Sequence, residues 1–64
     1  MYEFNVMDIL KEEDGLSSSQ IYLRHLNKYD YGNRHRIVQV LSRLIEKGLI
    51  KCERERKVFY YYVL

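Results

Sequence analysis

Between Arg34 and Lys47 the apolar residues Ile37, Val40, Leu41 and Leu44 fall at i, i+3, i+4 and i+7, and the run stops at Gly48. That spacing lines one side of an α-helix and fits no strand. Lys47 lies in the last turn, where the helix dipole favours a cation, and Gly48 is suited to a helix stop. Val38 and Ile45 are expected to widen the apolar stripe. A helix with one apolar face must bury it, and only 64 residues are available to cover it. One cysteine rules out an internal disulfide, and with two histidines it cannot close a zinc site. The core must therefore come from packing within one domain, residues 1–64, with a partner chain as a further source of cover.

The segments before this helix carry their own helix signals. Asn5 is placed to cap a first helix, with Asp8 three residues on, and Phe4 and Ile9 flank it at staple positions. Val6, Met7, Ile9 and Leu10 supply its apolar stripe, and Gly15 follows a polar exit. Ser17 and Gln20 have capping-box spacing, with Leu16 and Ile21 as the staple, so a second helix is expected over about Ser18 to Asn27. On it Ile21, Tyr22, Leu26 and Tyr29 share one arc, opposite Arg24 and Lys28. Gly32 is expected to take a positive φ in the following turn, and Asn33 to cap the third helix.

After Gly48 the pattern changes to strands. Ile50 to Glu53 alternates apolar and polar residues, and Val58 to Leu64 is rich in β-branched and aromatic types. Arg54 to Lys57 must turn between them. The last strand is apolar on both faces, so its second face can cover a partner. Leu16 is placed to add a short strand beside this hairpin.

Charge is unevenly spread along the chain. Residues 1–33 carry three basic and six acidic residues, and residues 34–64 carry eight and three, so the net +2 is the sum of −3 and +5. Such polarity points to one face suited to a polyanion. No apolar run reaches the roughly 18 residues of a membrane span. No basic flank with an apolar core marks a leader, so a cytoplasmic protein is expected. Paired acids, a nucleophile elbow and a glycine-rich phosphate loop are all missing, and His25, His35 and Cys52 form no catalytic set. His25 and Cys52 are expected to be packing residues; for Cys52 an intermolecular disulfide is the alternative. No enzyme, metal, cofactor or small-molecule effector is expected.

The third helix has a second face. His35, Arg36, Gln39, Ser42 and Arg43 lie opposite its apolar stripe, and Arg34 sits in its first turn. A major groove about 12 Å wide admits one helix. Arg can bond guanine O6 and N7 in pairs, and Gln can do the same with adenine N6 and N7. Arg54, Arg56 and Lys57 cluster at the hairpin turn, where they can reach phosphates. A solvated helix face carries the same residue types, and Glu53 and Glu55 can instead form cross-strand ion pairs at the tip.

The stretch from Arg36 to Ile50, with Leu44, Gly48-Leu49-Ile50, the charged hairpin and Tyr60-Tyr61-Tyr62-Val63-Leu64 after it, resembles the core of winged-helix regulators. MarR-type and ArsR-type repressors are the named comparison, and small DNA-binding proteins of archaea and their viruses are similarly stripped down. The similarity runs over nearly the whole chain. It implies an α+β winged helix-turn-helix: three helices, then a β-hairpin wing. It also implies that Arg34, His35, Arg36, Gln39 and Arg43 face double-stranded DNA. Arg54, Arg56 and Lys57 would sit at the wing tip, and Ser18 and Ser19 at a phosphate contact. The chain departs from that pattern in lacking flanking dimerisation helices, in its short wing, and in having no visible effector site. The expected function is sequence-specific DNA binding by a homodimeric transcriptional regulator. The alternative is a protein-interaction module docking through Phe59, Tyr61 and Val63. Structured RNA fits less well, because an A-form major groove is too narrow for a helix.

Overall fold

Three helices form in the computed structural model of residues 1–64: α1 (Tyr2–Glu12), α2 (Ser18–Tyr29) and α3 (Arg34–Glu46). Three strands accompany them: β1 (Leu16–Ser17), β2 (Ile50–Glu55) and β3 (Val58–Val63). Ten apolar side chains make the core, from Val6, Ile9 and Leu10 of α1 through Leu16 and Ile21 to Ile37, Val40, Leu41, Leu44 and Ile50. α1 and α3 thus each bury three or four residues of the expected stripe, while α2 buries only Ile21 of its arc. No helix is long and apolar enough to cross a membrane.

α2 begins as its local sequence dictates. Ser17 Oγ accepts from the Gln20 N–H at 3.3 Å, and Gln20 Oε1 accepts from the Ser17 N–H at 2.9 Å. The same residue ends β1, so one short segment both caps the helix and pairs with the sheet. α3 starts from Asn33, whose Oδ1 accepts from the Arg36 N–H at 3.1 Å.

α1 departs from expectation. It starts at Tyr2 with Met1 at the cap and no side-chain cap bond. Asn5 lies inside the helix, 5% exposed. Its amide is spent on tertiary partners, donating to the Tyr31 hydroxyl at 3.3 Å and lying 3.2 Å from His25 Nε2. Phe4 is 70% exposed and staples nothing. The α2–α3 turn differs as well. Its left-handed residue is Asp30, at φ 63, and not Gly32. A short polar side chain tolerates that conformation. Gly32 instead permits close packing, since a Cβ there would lie 3.4 Å from both His25 Nδ1 and Leu26 Cδ2. Val38 and Ile45 do not widen the buried stripe, and both are exposed.

The sheet order is β1-β3-β2, all antiparallel, with Leu16 opposite Tyr61 and Ile50 opposite Val63. β3 is therefore the central strand, hydrogen-bonded along both its edges. Tyr61 and Val63 pack against the core. That removes two of the three residues of the expected Phe59–Tyr61–Val63 docking surface. On the other face Tyr62 covers Gly15, where φ is +74 and a Cβ would fall 3.1 Å from the ring. The hairpin turn is tighter than the four residues expected. Glu55 pairs with Val58, leaving only Arg56 and Lys57 in the turn, and Arg56 is left-handed at φ 60. Cys52 is half-buried opposite Tyr61, and burial, helped by that neighbour, pushes the Tyr61 hydroxyl up.

Candidate nucleic-acid interface

α3 exposes Arg34, His35, Arg36, Gln39, Ser42 and Arg43 to solvent while its opposite arc is buried. At about 100° per residue, His35, Gln39 and Ser42 form the outward crest. Arg36 and Arg43 flank it on the side of α1, and Arg34 on the side of α2. Arg36, Gln39, Val40 and Arg43 line a hollow of about 270 Å³. A second, of about 240 Å³, runs from Arg36, Val40 and Arg43 to Met1, Tyr2 and Glu3. The first turn of α1 therefore borders the exposed face of α3.

Each cation on this face has a distinct environment. The Arg34 guanidinium donates to Ser19 Oγ at 2.7 Å and lies 5.5 Å from the Tyr22 ring centre. Arg36 lies 5.3 Å from the Tyr2 ring centre. Arg43 is 3.9 Å from a Glu3 carboxylate oxygen, and Lys47 donates to the other oxygen at 2.7 Å. The Lys47 hydrogen bond, with the charges of Lys47 and Arg43, holds the Glu3 carboxyl below the usual range. Ser18 and Ser19 open α2, where the first N–H groups lack intrahelical acceptors and favour an anion. Arg34 and Ser19, drawn from separate helices, are thus brought together.

At the wing Arg54 is partly committed. Its Nε donates to the Arg56 carbonyl at 2.8 Å, bracing the left-handed turn, and its guanidinium lies 5.9 Å from the Phe59 ring centre. None of Arg54, Arg56 and Lys57 forms an ion pair; Glu53 pairs instead with Lys51 at 3.0 Å on its own strand. The alternative of cross-strand ion pairs at the tip is not what forms.

Two of the three cations of the first half behave in the opposite way, and Lys11 alone among them forms no ion pair. Arg24 pairs with Glu13 at 2.8 Å, and Lys28 with Asp8 at 2.6 Å and with Glu12. Free cations thus gather at the start of α3 and at the wing tip, while Arg43, Lys47 and Lys51 of the same half are paired. Arg34, Arg36, Arg54, Arg56 and Lys57 carry no carboxylate partner, while Arg24 and Lys28 are neutralised between α1 and α2. No three His, Cys, Asp or Glu side chains gather as a metal cluster. Tyr2, Glu3 and Tyr22 were not legible as parts of this surface. Tyr2 and Glu3 reach it across the fold from α1, and Tyr22 reads simply as a packing residue of α2.

A helix-turn-helix formed by α2 and α3, with α1 behind it and a β-hairpin after it, defines a winged-helix domain. The family profile of the penicillinase repressor matches residues 1–64, and the chain belongs to that family. Its members are transcriptional repressors, not enzymes. The match places the chain among winged-helix repressors, without placing it with the MarR-type or ArsR-type ones it resembles. A solved structure of HOP2, from work on its DNA recognition and protein interaction domains and on homologous DNA pairing, has a TM-score of 0.87 to this chain. It is 18% identical over 100% of both chains, a likeness of fold alone. A search of curated protein sequences finds no match.

Proposed function

We propose that the protein binds double-stranded DNA sequence-specifically as a transcriptional regulator, with α3 in the major groove and the wing on the flanking backbone. The observation that carries this is the placement of unpaired cations on the α3 face and the wing tip, while Arg24 and Lys28 elsewhere are tied to carboxylates. Arg36, Gln39 and the residues beside them supply base-edge contacts. Arg54, Arg56, Lys57 and the α2 N-terminus at Ser18 and Ser19 supply phosphate contacts. The domain measures 29 × 24 × 21 Å. Half-sites one helical turn apart are about 34 Å from centre to centre, so one copy covers one half-site and a homodimer covers the pair. A sedimentation mass of one chain at micromolar concentration, with and without DNA, would remove the dimer and leave DNA binding intact.

Fluorescence anisotropy with a mixed-sequence duplex and with duplexes selected from a random library tests the reading. Affinity should fall steeply with salt, with a log–log slope of about −3 per bound copy if Arg54, Arg56 and Lys57 meet phosphates. Arg36→Ala should cost about 1–3 kcal/mol on a selected duplex. Lys57→Ala should weaken binding to all duplexes and reduce the slope by about one. No binding at low salt would overturn the reading and leave the protein-interaction module in its place.

A further inference from the structure

The two arginines that begin α3 are each seated on a tyrosine from another helix, Arg36 on Tyr2 of α1 and Arg34 on Tyr22 of α2. We propose that Tyr2 and Tyr22 are positioning residues for DNA reading, holding Arg36 and Arg34 as pre-set probes before the duplex arrives. This rests on α3 being the reading helix.

Tyr2 is itself held firmly. Its ring stacks on His25 at 4.9 Å between centres and 8° between planes, and it meets Tyr31 edge-on at 5.6 Å. His25 is fully buried and is bonded through both ring nitrogens, to the Tyr31 carbonyl and the Asn5 amide. Arg36 thereby lies over a ring that is itself stacked on a buried core residue. On the other flank, Tyr22 is half-buried, and Arg34 is further held by its bond to Ser19.

An aromatic platform suits this task better than a carboxylate. A carboxylate would occupy the guanidinium N–H groups that must pair with guanine. A ring below the guanidinium takes none of its edge donors, and of the two arginines only Arg34 spends one, on Ser19. The rotamer freedom that an unsupported arginine loses on binding is then largely lost beforehand, which favours the bound geometry. Arg43, beside Glu3, has no such platform, so within α3 the arrangement belongs to its first turn.

Two double-mutant cycles test this, Tyr2→Leu with Arg36→Ala and Tyr22→Leu with Arg34→Ala. Affinity is measured on a selected duplex and on a mixed-sequence duplex. Each tyrosine variant should lose about two- to five-fold on the selected duplex. Losses on the mixed-sequence duplex should be smaller. Tyr2→Phe and Tyr22→Phe should restore binding, since the ring and not the hydroxyl is the platform. In the Arg→Ala backgrounds the Tyr→Leu changes should have no further effect. Losses that simply add would overturn the inference while leaving α3 as the reading helix. If the arginine variants themselves lose nothing, the reading of α3 falls and the inference with it. Circular dichroism melts check folding, and Tyr22, outside the His25 cluster, keeps the test available if Tyr2→Leu unfolds.

Discussion

His25 Nδ1 lies 2.6 Å from the carbonyl oxygen of Tyr31, closing the α2–α3 turn onto the core. A carbonyl only accepts, so Nδ1 carries the proton. Nε2 then presents a lone pair to the Asn5 amide N–H, 3.2 Å away. This tautomer satisfies every group around the ring, and no buried side-chain polar atom in the molecule lacks a partner.

Nitrogen-15 NMR of the imidazole should accordingly show a protonated Nδ1 and a bare Nε2. His25→Ala should cost about 2–4 kcal/mol, combining a core cavity with the loss of the bond to the Tyr31 carbonyl. Urea unfolding measures the loss. A ring protonated at Nε2 alone would contradict the assignment.

Glu3 occupies Lys47 and partly Arg43. Glu3→Gln should release both toward phosphate. Binding to a mixed-sequence duplex should then strengthen and its salt slope steepen by about one to two. Binding to a selected duplex should gain less, so discrimination between the two narrows. A slope unchanged by the substitution would show that neither cation reaches the backbone.

Arg56 holds φ 60 at the first position of a two-residue hairpin turn, where glycine is favoured. Arg56→Gly should relieve strain of about 1 kcal/mol, partly offset by glycine's greater unfolded freedom. The melting midpoint should rise by a few degrees while DNA affinity falls through loss of a cation. Parallel thermal melts and anisotropy titrations separate the two effects; a lower midpoint would sink the strain argument.

Acid should weaken the contacts of α1 with α2 and with the end of α3. Hydrogen bonds from Lys28 and Tyr29 lower the Asp8 carboxyl, Arg24 lowers that of Glu13, and Lys47 that of Glu3. Each has a folded value below its unfolded one, so its contribution is complete above the ordinary carboxylate range, about pH 4. It is lost as pH falls through the lowered values, where the unfolded chain takes up protons first. These groups are solvent-accessible, so the effect is small and screened by salt. Urea midpoints should decline below about pH 4, and Asp8→Asn should flatten the decline. A profile unaltered by Asp8→Asn would deny the pair a role in stability.

Residues that act on near neighbours along the chain were the legible ones. The Ser17–Gln20 box, the Asn33 cap and the Ile37–Leu44 stripe are governed by spacings of three or four, and each forms as its spacing demands. Asn5 has equally good capping chemistry but a better use 20 residues away at His25, so α1 begins four residues earlier than expected. Arg56 and Lys57 carry no turn signature, because strand pairing imposes the tight turn on residues that do not ask for it.

The order of elements, the apolar faces and the basic bias of the second half follow from the chain alone, since propensity, capping and periodicity are local. Which cations stay free was decided in three dimensions. α1 brings Asp8, Glu12 and Glu13 against Arg24 and Lys28, and it brings Glu3 to Lys47 and Tyr2 to Arg36. Charge pairing depends on distance in space, and no pattern along the sequence carries that distance before the helices pack.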